Sequence, residues 1–276
     1  GDSVKTILYC EEQFLKGKNV RPQFPGRNVG LMFGLESSLH PFIGHPSYKE
    51  ISHLPLNERL SIMRDPAFKQ KILNESPSFR EDLQKAAKEQ KSNKTKEEIK
   101  AEAEIGKKLI SNYETQFILS DPPNYEPTRE DSIAYLAEQR NQSEEEVIYD
   151  ELIKDDGKSL IYACFTPYEN HKLKFVETFY KLKSSVAGGS DGGAHCGLIC
   201  DASMPTTNLS HWARDRSAGN KIPLELIIRK QTKDTAETYG LFDRGEIKTG
   251  MIADINIIDF EKLNVSLPKM IFDLPK

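Results

Sequence analysis

Apolar residues recur at helical spacing in several parts of the chain. The first such stretch spans residues 4–16 and predicts a helix that ends at Gly17. Ser143, with Glu146 three residues later, forms a capping-box pattern and predicts the start of another helix. Helices are predicted over 4–16, 132–139, 144–154, 172–183 and 223–239, with a short one around Leu56, Leu60 and Met63.

Short apolar runs between glycine and proline residues predict β-strands. The runs are 20–23, 29–35, 117–120, 160–166 and 184–190. Alternation of strands and helices with short connections predicts parallel strands joined by right-handed crossovers, as in a (β/α)8 barrel or an open doubly wound sheet. About four strand–helix units are visible, roughly half of the eight that a barrel needs. The sequence therefore predicts an α/β fold that contains part of a TIM barrel.

Two regions depart from this alternation. Residues 78–108 are highly charged and are expected to form a solvated part of a helical excursion at about 40–116. Residues 245–260 change to isoleucine-rich segments separated by Gly250 and Asp254, which predicts the start of a small β-sandwich. The expected domains are therefore half of a barrel over 1–240 and the beginning of a sandwich over 241–276.

Composition restricts the function classes. A net charge of -4 and a pI near 6.0 provide no basic surface for nucleic acid. No apolar run approaches the roughly 20 residues of a membrane span, and the first residues show no secretory signal. The four cysteines are expected to be reduced thiols. These features predict a soluble cytoplasmic protein with neither nucleic acid nor membrane as a partner.

The segment from Ala187 to His195, AGGSDGGAH, is the strongest candidate for chemistry. An apolar strand leads into it and places Asp191 in a loop with glycines on both sides, where backbone can approach a metal or a substrate closely. Catalytic residues of parallel α/β folds lie at such strand ends. Considered without other information, a lone aspartate in a glycine-rich turn is more often a turn former.

Other residues near this segment allow two interpretations each. His195 could hydrogen-bond to Asp191 or to substrate, or be structural. Arg214 could bind a substrate carboxylate through two hydrogen bonds, or form a structural ion pair. Cys196 and Cys200 lack the second pair that a zinc site would need, so they are interpreted as small buried residues.

His40 and His45 lie on either side of Pro41 and Gly44, where a metal site is conceivable. Zinc sites need three or four ligands and only two donors cluster here. A solvated loop or a contact with substrate is the preferred interpretation.

Long runs of the sequence resemble one enzyme family. GGSDGGAHCGLICDASMPTTNLSHWARDR resembles the strand-eight region of N-acyl-D-amino-acid deacylases, the D-aminoacylase-like branch of the metal-dependent amidohydrolase superfamily. RPQFPGRNVGLMFGLESSLHPF, LPLNERLSIMRDPAFKQKIL and IPLELIIRKQTKDTAETYGLFDRGEIKTGMIADINIIDF resemble further parts in the same order. The resemblance implies a (β/α)8 barrel with one or two metals, usually zinc, and hydrolysis of a non-peptide C–N amide bond.

The resemblance also implies roles for individual residues. Asp191 matches the strand-eight aspartate, which would ligate or abut the metal, take a proton from the attacking water and pass it to the leaving amine. Ser190, Gly193, His195 and Arg214 are the expected substrate-binding residues around it. The expected substrate is a small N-acyl amino acid.

The family's metal-binding histidine pair has no counterpart here. No His-x-His occurs in the sequence, and its six histidines are scattered. We therefore expect a fragment of an enzyme, inactive by itself, with little bound zinc and with a tendency to self-associate through exposed barrel surface. Two alternatives stay open: another amidohydrolase, acting on cyclic amides or dipeptides, or a non-catalytic binding protein without a metal site.

Overall fold

The computed structural model describes residues 2–78, 95–166, 168, 170–190, 192–193 and 196–272. Within these ranges no helix is long and apolar enough to cross a membrane. The helices are α1 (Asp2–Leu15), α2 (Pro46–Ile51), α3 (Leu56–Met63), α4 (Pro66–Leu73), α5 (Lys96–Ser111), α6 (Ile133–Arg140), α7 (Glu144–Leu152), α8 (Lys174–Lys181), α9 (Met204–Thr207), a π-helical segment (Asn208–Asp215), α10 (Leu224–Gln231) and α11 (Lys233–Thr238). The strands are β1 (Gln23–Pro25), β2 (Val29–Phe33), β3 (Gln116–Ile118), β4 (Ile161–Thr166) and β5 (Val186–Gly188).

These strands form two small sheets. β1 and β5 pair in parallel, with Phe24 opposite Ala187. In the other sheet β4 lies between β2 and β3 and is antiparallel to both. The mixed α/β composition agrees with the prediction, but the prediction of parallel strands is wrong for the three-stranded sheet. The described residues do not confirm a partial barrel.

The three-stranded sheet is covered on both faces. Alternate residues of β2 enter different apolar clusters: Leu31 and Phe33 pack with α3, α6 and α7, and Met32 packs with Phe117 and Tyr162. β4 alternates in the same way, because successive side chains of a strand point to opposite faces. Burying one large apolar side chain stabilises the folded state by roughly 1.5–3 kcal/mol. Because apolar side chains cover both of its faces, the sheet forms the centre of the larger core.

A second apolar cluster covers the parallel pair of strands. The ring of Phe24 on β1 meets Tyr180 of α8 edge to face, with centroids 5.0 Å apart. Trp212 is fully buried in the same cluster, and its indole N–H donates to the carbonyl of Gly26 at 2.5 Å. This bond connects the π-helical segment to the turn between β1 and β2.

The helix start at Ser143 agrees with the sequence pattern, and the helix predicted from residue 132 begins at Ile133 with Ser132 as its N-cap. The Ser132 hydroxyl accepts from Tyr135 N–H, and that of Ser143 accepts from Glu146 N–H, both at 3.2 Å. The Glu146 carboxylate accepts from Lys69 Nζ at 2.8 Å. Ser143 therefore caps α7, while the side chain of Glu146 links α7 to α4.

Three local predictions need correction. The helix predicted over 223–239 is two helices, because the backbone breaks at Thr232 with φ -119° and ψ -85°. The strand predicted over 20–23 begins only at Gln23. Residues 241–272, all described, contain no strand, and Ile247 and Ile257 are 93% and 99% exposed. The domain boundary at 240 and the sandwich over 241–276 stay predictions.

The predicted helical excursion at about 40–116 contains α2, α3, α4 and α5. Part of its charged stretch, residues 79–94, lies outside the described residues. α5 begins with a complete capping box, in which Thr95 and Glu98 bond reciprocally.

Candidate functional site

β5 leads directly into the glycine-rich loop singled out in the sequence. A Cβ atom on Gly188 would lie 2.0 Å from the side-chain amide nitrogen of Gln23, so the Gln23 side chain occupies the space beside this glycine. Gly189 has φ +82°, a conformation that favours glycine. Ser190 follows, partly buried, and Gly193 is exposed with φ +91°. Gly189 and Gly193 therefore set the direction of the backbone, and the close approach of this loop to a metal or a substrate stays a prediction.

Asp191 and His195 lie outside the described residues. The catalytic and metal-binding roles of Asp191, and the contact of His195 with it, therefore stay predictions. The structure describes the strand before Asp191 and the return leg of the loop, residues 196–203.

Backbone hydrogen bonds attach the return leg to β2 and the segment after it. Met32 N–H donates to Leu198 O at 2.7 Å, and Ser38 N–H donates to Gly197 O at 2.8 Å. Both acceptors are main-chain atoms, so these bonds depend on the path of the loop and on no particular side chain. They hold the loop against the edge of the three-stranded sheet.

Arg27, a fully buried residue, provides a third attachment. Its Nη2 donates to Cys200 O at 2.7 Å and to Asp201 Oδ1 at 3.1 Å, and its Nη1 donates to Thr207 Oγ1 at 3.1 Å. The guanidinium also lies 3.6 Å from the centre of the Tyr125 ring. A buried cation with one anion, a carbonyl and an aromatic face is well compensated. Arg27 thus fixes the end of the loop.

The cysteines around this loop differ in exposure. Cys164 is buried and Cys200 is half-buried, and burial raises the pKa of both thiols. Neither is therefore activated as a thiolate. Cys196 is exposed, so its interpretation as a buried residue is wrong.

A second buried charge cluster lies around Glu126. Its carboxylate accepts from Nε and Nη2 of Arg216, each at 2.9 Å, and His211 Nε2 lies 2.8 Å away. The Arg216 guanidinium stacks on Trp212, 4.3 Å from the ring centre. Burial by itself would raise the pKa of Glu126, but hydrogen bonds from His211 and Arg216 lower it to about 2. Glu126 is therefore ionised at neutral pH and ties the segment before α6 to the π-helical segment.

Arg214 has partners within the protein. Its Nε and Nη2 donate to the Asp215 carboxylate at 2.7 and 2.8 Å. Its guanidinium also donates to the main-chain carbonyls of Phe260 and Leu263. These contacts favour the structural ion pair over the binding of a substrate carboxylate.

His40 and His45 are both buried, so the interpretation as a solvated loop is wrong. The ring of His40 packs against Tyr48, with centroids 4.5 Å apart. Burial, with smaller contributions from Arg59 and His45, lowers the pKa of His40 to about 3. His40 is therefore a neutral core residue.

A zinc site is not present within the described part of the chain. No group of three or more His, Cys, Asp or Glu side chains there is placed to hold a metal ion. The described residues therefore do not fit the metal that the resemblance implies.

The described geometry is that of an α/β protein with a glycine-rich loop that follows a parallel strand and is anchored at its return end. Catalytic groups of α/β enzymes occupy this position. Residues 174–271 match the model of the Amidohydrolase family. The match covers less than half of the chain and supports a hydrolase of the metal-dependent amidohydrolase superfamily. No curated protein and no solved structure gives a significant match.

Sequence reasoning missed the residues that hold this site together. Three charged residues are buried and bond to partners that are distant along the chain: Arg27, Asp201 and Glu126. Asp201 lies between apolar and small residues in ICDASM, and Arg27 lies two residues before the apolar run of β2. A charged residue close to an apolar run is a local sign that the charge is buried. This sign does not identify the residue with which the charge pairs.

Proposed function

We propose that the protein hydrolyses the amide C–N bond of N-acyl amino acids, with N-acyl-D-amino acids as the preferred substrates. The family match over 174–271 carries the proposal, because this range includes the loop with Asp191. The match itself supports a hydrolase of the superfamily. The deacylase branch and the substrate rest on the resemblance of the loop sequence.

In the proposed reaction Asp191 moves one proton. Its carboxylate accepts a proton from water as the water oxygen attacks the carbonyl carbon, and then delivers that proton to the nitrogen as the C–N bond breaks. The products are a carboxylic acid and a free amino acid. General acid–base steps of this kind contribute roughly 10²- to 10⁴-fold to rate.

The anchors of the return leg support this assignment. A catalytic group must be held in place by the structure around it, and Leu198, Cys200 and Asp201 are all bonded to β2 or to Arg27. Zinc stays part of the proposal as the expected cofactor, with ligands beyond the described residues.

The test uses the protein translated from its complete natural reading frame, with zinc added. We expect release of free amino acid from N-acetyl-D-amino acids and slower release from the L-enantiomers. Asp191→Asn should lower kcat at least about 100-fold. Asp243→Asn changes an exposed aspartate in the same matched range and should leave kcat unchanged.

Three results would overturn the proposal. Hydrolysis of cyclic amides or dipeptides, with none of N-acyl amino acids, would establish another amidohydrolase activity. Full activity of Asp191→Asn would exclude the proton-transfer role. Binding of N-acyl amino acids with no hydrolysis at any zinc concentration would support the non-catalytic alternative. The 276-residue chain by itself is expected to show substoichiometric zinc and no turnover.

A further inference from the structure

One short segment, residues 23–27, contacts both ends of the glycine-rich loop. Its first part is β1, which pairs in parallel with β5, so that Phe24 lies opposite Ala187. β5 is the strand that leads into the loop. Two residues after β1, Arg27 bonds to the residues at which the loop returns. The same segment therefore contacts the loop where it leaves the strand and where it comes back.

Arg27 makes the contacts on the return side. Its Nη2 donates to Cys200 O at 2.7 Å and to Asp201 Oδ1 at 3.1 Å. The side chains of Arg27 and Asp201 are 0% and 2% exposed, so water does not compete for this pair. A guanidinium presents several N–H donors in one rigid plane, which a lysine ammonium does not. The position of Arg27 therefore determines the position of the residues to which it bonds.

The turn that contains Arg27 is itself fixed by the π-helical segment and the residue before that segment. A Cβ atom on Gly26 would lie 1.7 Å from Oδ1 of Asn208, so the buried Asn208 side chain fills the space beside the turn. The indole N–H of Trp212 donates to Gly26 O, and Nη1 of Arg27 donates to Thr207 Oγ1 at 3.1 Å. The turn cannot shift without displacing these buried side chains.

We infer that Arg27 is a positioning residue for Asp191. In sequence Asp191 lies between Ala187, which pairs with β1, and Cys200, which bonds to Arg27. Arg27 touches no substrate in this inference; it keeps the return leg at a fixed place relative to β5. The contacts of Arg27 stand by themselves, and their importance for catalysis rests on the proposed function of Asp191.

The inference predicts an effect on kcat rather than on KM. A reacting group that is displaced by about 1 Å can lose on the order of 100-fold in rate. Substrate affinity depends on other contacts, so a displaced Asp191 would still meet bound substrate. A purely structural role of Arg27 would instead lower the amount of folded enzyme and leave the kcat of each folded molecule unchanged.

The order of the loop can be measured without any activity. A nitroxide spin label on Cys196, which is exposed on the return leg, reports the mobility of that leg in the 276-residue chain. Cys10→Ser/Cys200→Ser removes the two partly exposed thiols and keeps the Cys200 carbonyl that Arg27 bonds. In this background Arg27→Met/Asp201→Leu removes the buried pair without leaving either charge alone. We expect the label to become more mobile, with a shorter rotational correlation time.

The matched control is Leu152→Ala. Leu152 is fully buried in α7, within the larger core, so its truncation destabilises the protein and leaves the bonds of Arg27 in place. The mobility of the label on Cys196 should then equal that of the chain without this substitution.

The same variants test catalysis in the full-frame protein with zinc added. Arg27→Met/Asp201→Leu should lower kcat about 10- to 100-fold and change KM less than about twofold. Arg27→Lys keeps a charge beside Asp201 but cannot make all the bonds of the guanidinium, so its kcat should lie between the two. It also serves as the second variant if the double variant fails to fold. Leu152→Ala should keep both constants below its unfolding temperature.

Unchanged label mobility in Arg27→Met/Asp201→Leu would overturn the inference. An unchanged kcat of this variant in an active full-frame protein would overturn it too, as would equal effects in Leu152→Ala, because the loss would then come from stability alone. A full-frame protein that hydrolyses no N-acyl amino acid, together with a more mobile label in the double variant, would remove the proposed function and support the positioning of the loop by Arg27.

Discussion

Arg27 Nη2 and Asp201 Oδ1 lie 3.1 Å apart although 174 residues separate them in the chain. Both side chains are buried, with exposures of 0% and 2%. The pair joins the turn before β2 to the end of the loop that contains Asp191. Its two charges compensate each other in a place where neither would be tolerated by itself.

Removing one member of this pair should destabilise the protein more than removing both. Asp201→Asn leaves the Arg27 cation buried without its anion and should cost roughly 3–5 kcal/mol of unfolding free energy. Arg27→Met/Asp201→Leu removes both charges and should recover a large part of that loss. Urea denaturation measures both values. A double variant less stable than Asp201→Asn would show that the remaining bonds of Arg27 outweigh its charge pairing.

The Glu126 cluster predicts an acid dependence of stability. The pKa of Glu126 is lowered to about 2 in the folded state, so its contribution is present above the unfolded value near 4.5 and is lost as pH falls toward 2. Glu126→Gln should lower stability at pH 7 by roughly 3–5 kcal/mol and flatten the pH dependence between 4.5 and 2. Thermal unfolding across that range is the measurement.

Glu58→Gln is the matched control for Glu126→Gln, because Glu58 is exposed on α3. Its pH profile should follow that of the wild type. An unchanged slope in Glu126→Gln would contradict the assignment of the low pKa to this carboxylate.

The burial of His40 predicts a second pH dependence of stability, which begins at a higher pH than that of Glu126. Its pKa is lowered from 6.5 to about 3 by burial, so below pH 6.5 the unfolded chain binds a proton that the folded protein does not. Stability should therefore fall by roughly 1.4 kcal/mol per pH unit between 6.5 and 3 from this residue. His40→Phe keeps a ring against Tyr48 and should remove that slope. His53→Phe, at an exposed position, should keep it.

Local sequence signals predicted the elements better than their arrangement. Ser143 was recognisable as an N-cap because capping depends on residues within one turn. The antiparallel direction of β4 was not, because strand direction depends on which distant segment pairs with it. The break at Thr232 was also missed, because no glycine or proline marks it between Pro223 and Gly240.

In the candidate site, too, local features could be predicted from the sequence and long-range contacts could not. The glycine-rich loop and its preceding strand could be predicted from composition. Arg27 and Glu126 could not, because the partners that make a buried charge tolerable come from distant parts of the chain. The catalytic role of Asp191 rests on the family resemblance, and the described residues do not test this role.

Two glycines should respond in opposite directions to the same substitution. A Cβ on Gly30 would lie 2.6 Å from the main-chain oxygen of Ala163, inside the three-stranded sheet. Gly30→Ala should therefore cost roughly 1–3 kcal/mol of unfolding free energy. Gly106 lies within α5 with nothing within 4 Å of such a Cβ, so Gly106→Ala should gain roughly 0.5–1 kcal/mol. Chemical denaturation should give the two opposite signs.

The tail after α11 predicts a specific pattern of hydrogen exchange. Between Asp254 and Ile258 no backbone amide donates to another backbone group of the described chain. In dilute solution these amides should exchange with deuterium about as fast as those of an unfolded peptide. If the predicted self-association pairs this segment with a second copy, exchange at Ile255 and Ile257 should slow as protein concentration rises, because backbone groups without partners are templates for pairing. Exchange that is equally fast at every concentration would place the self-association elsewhere.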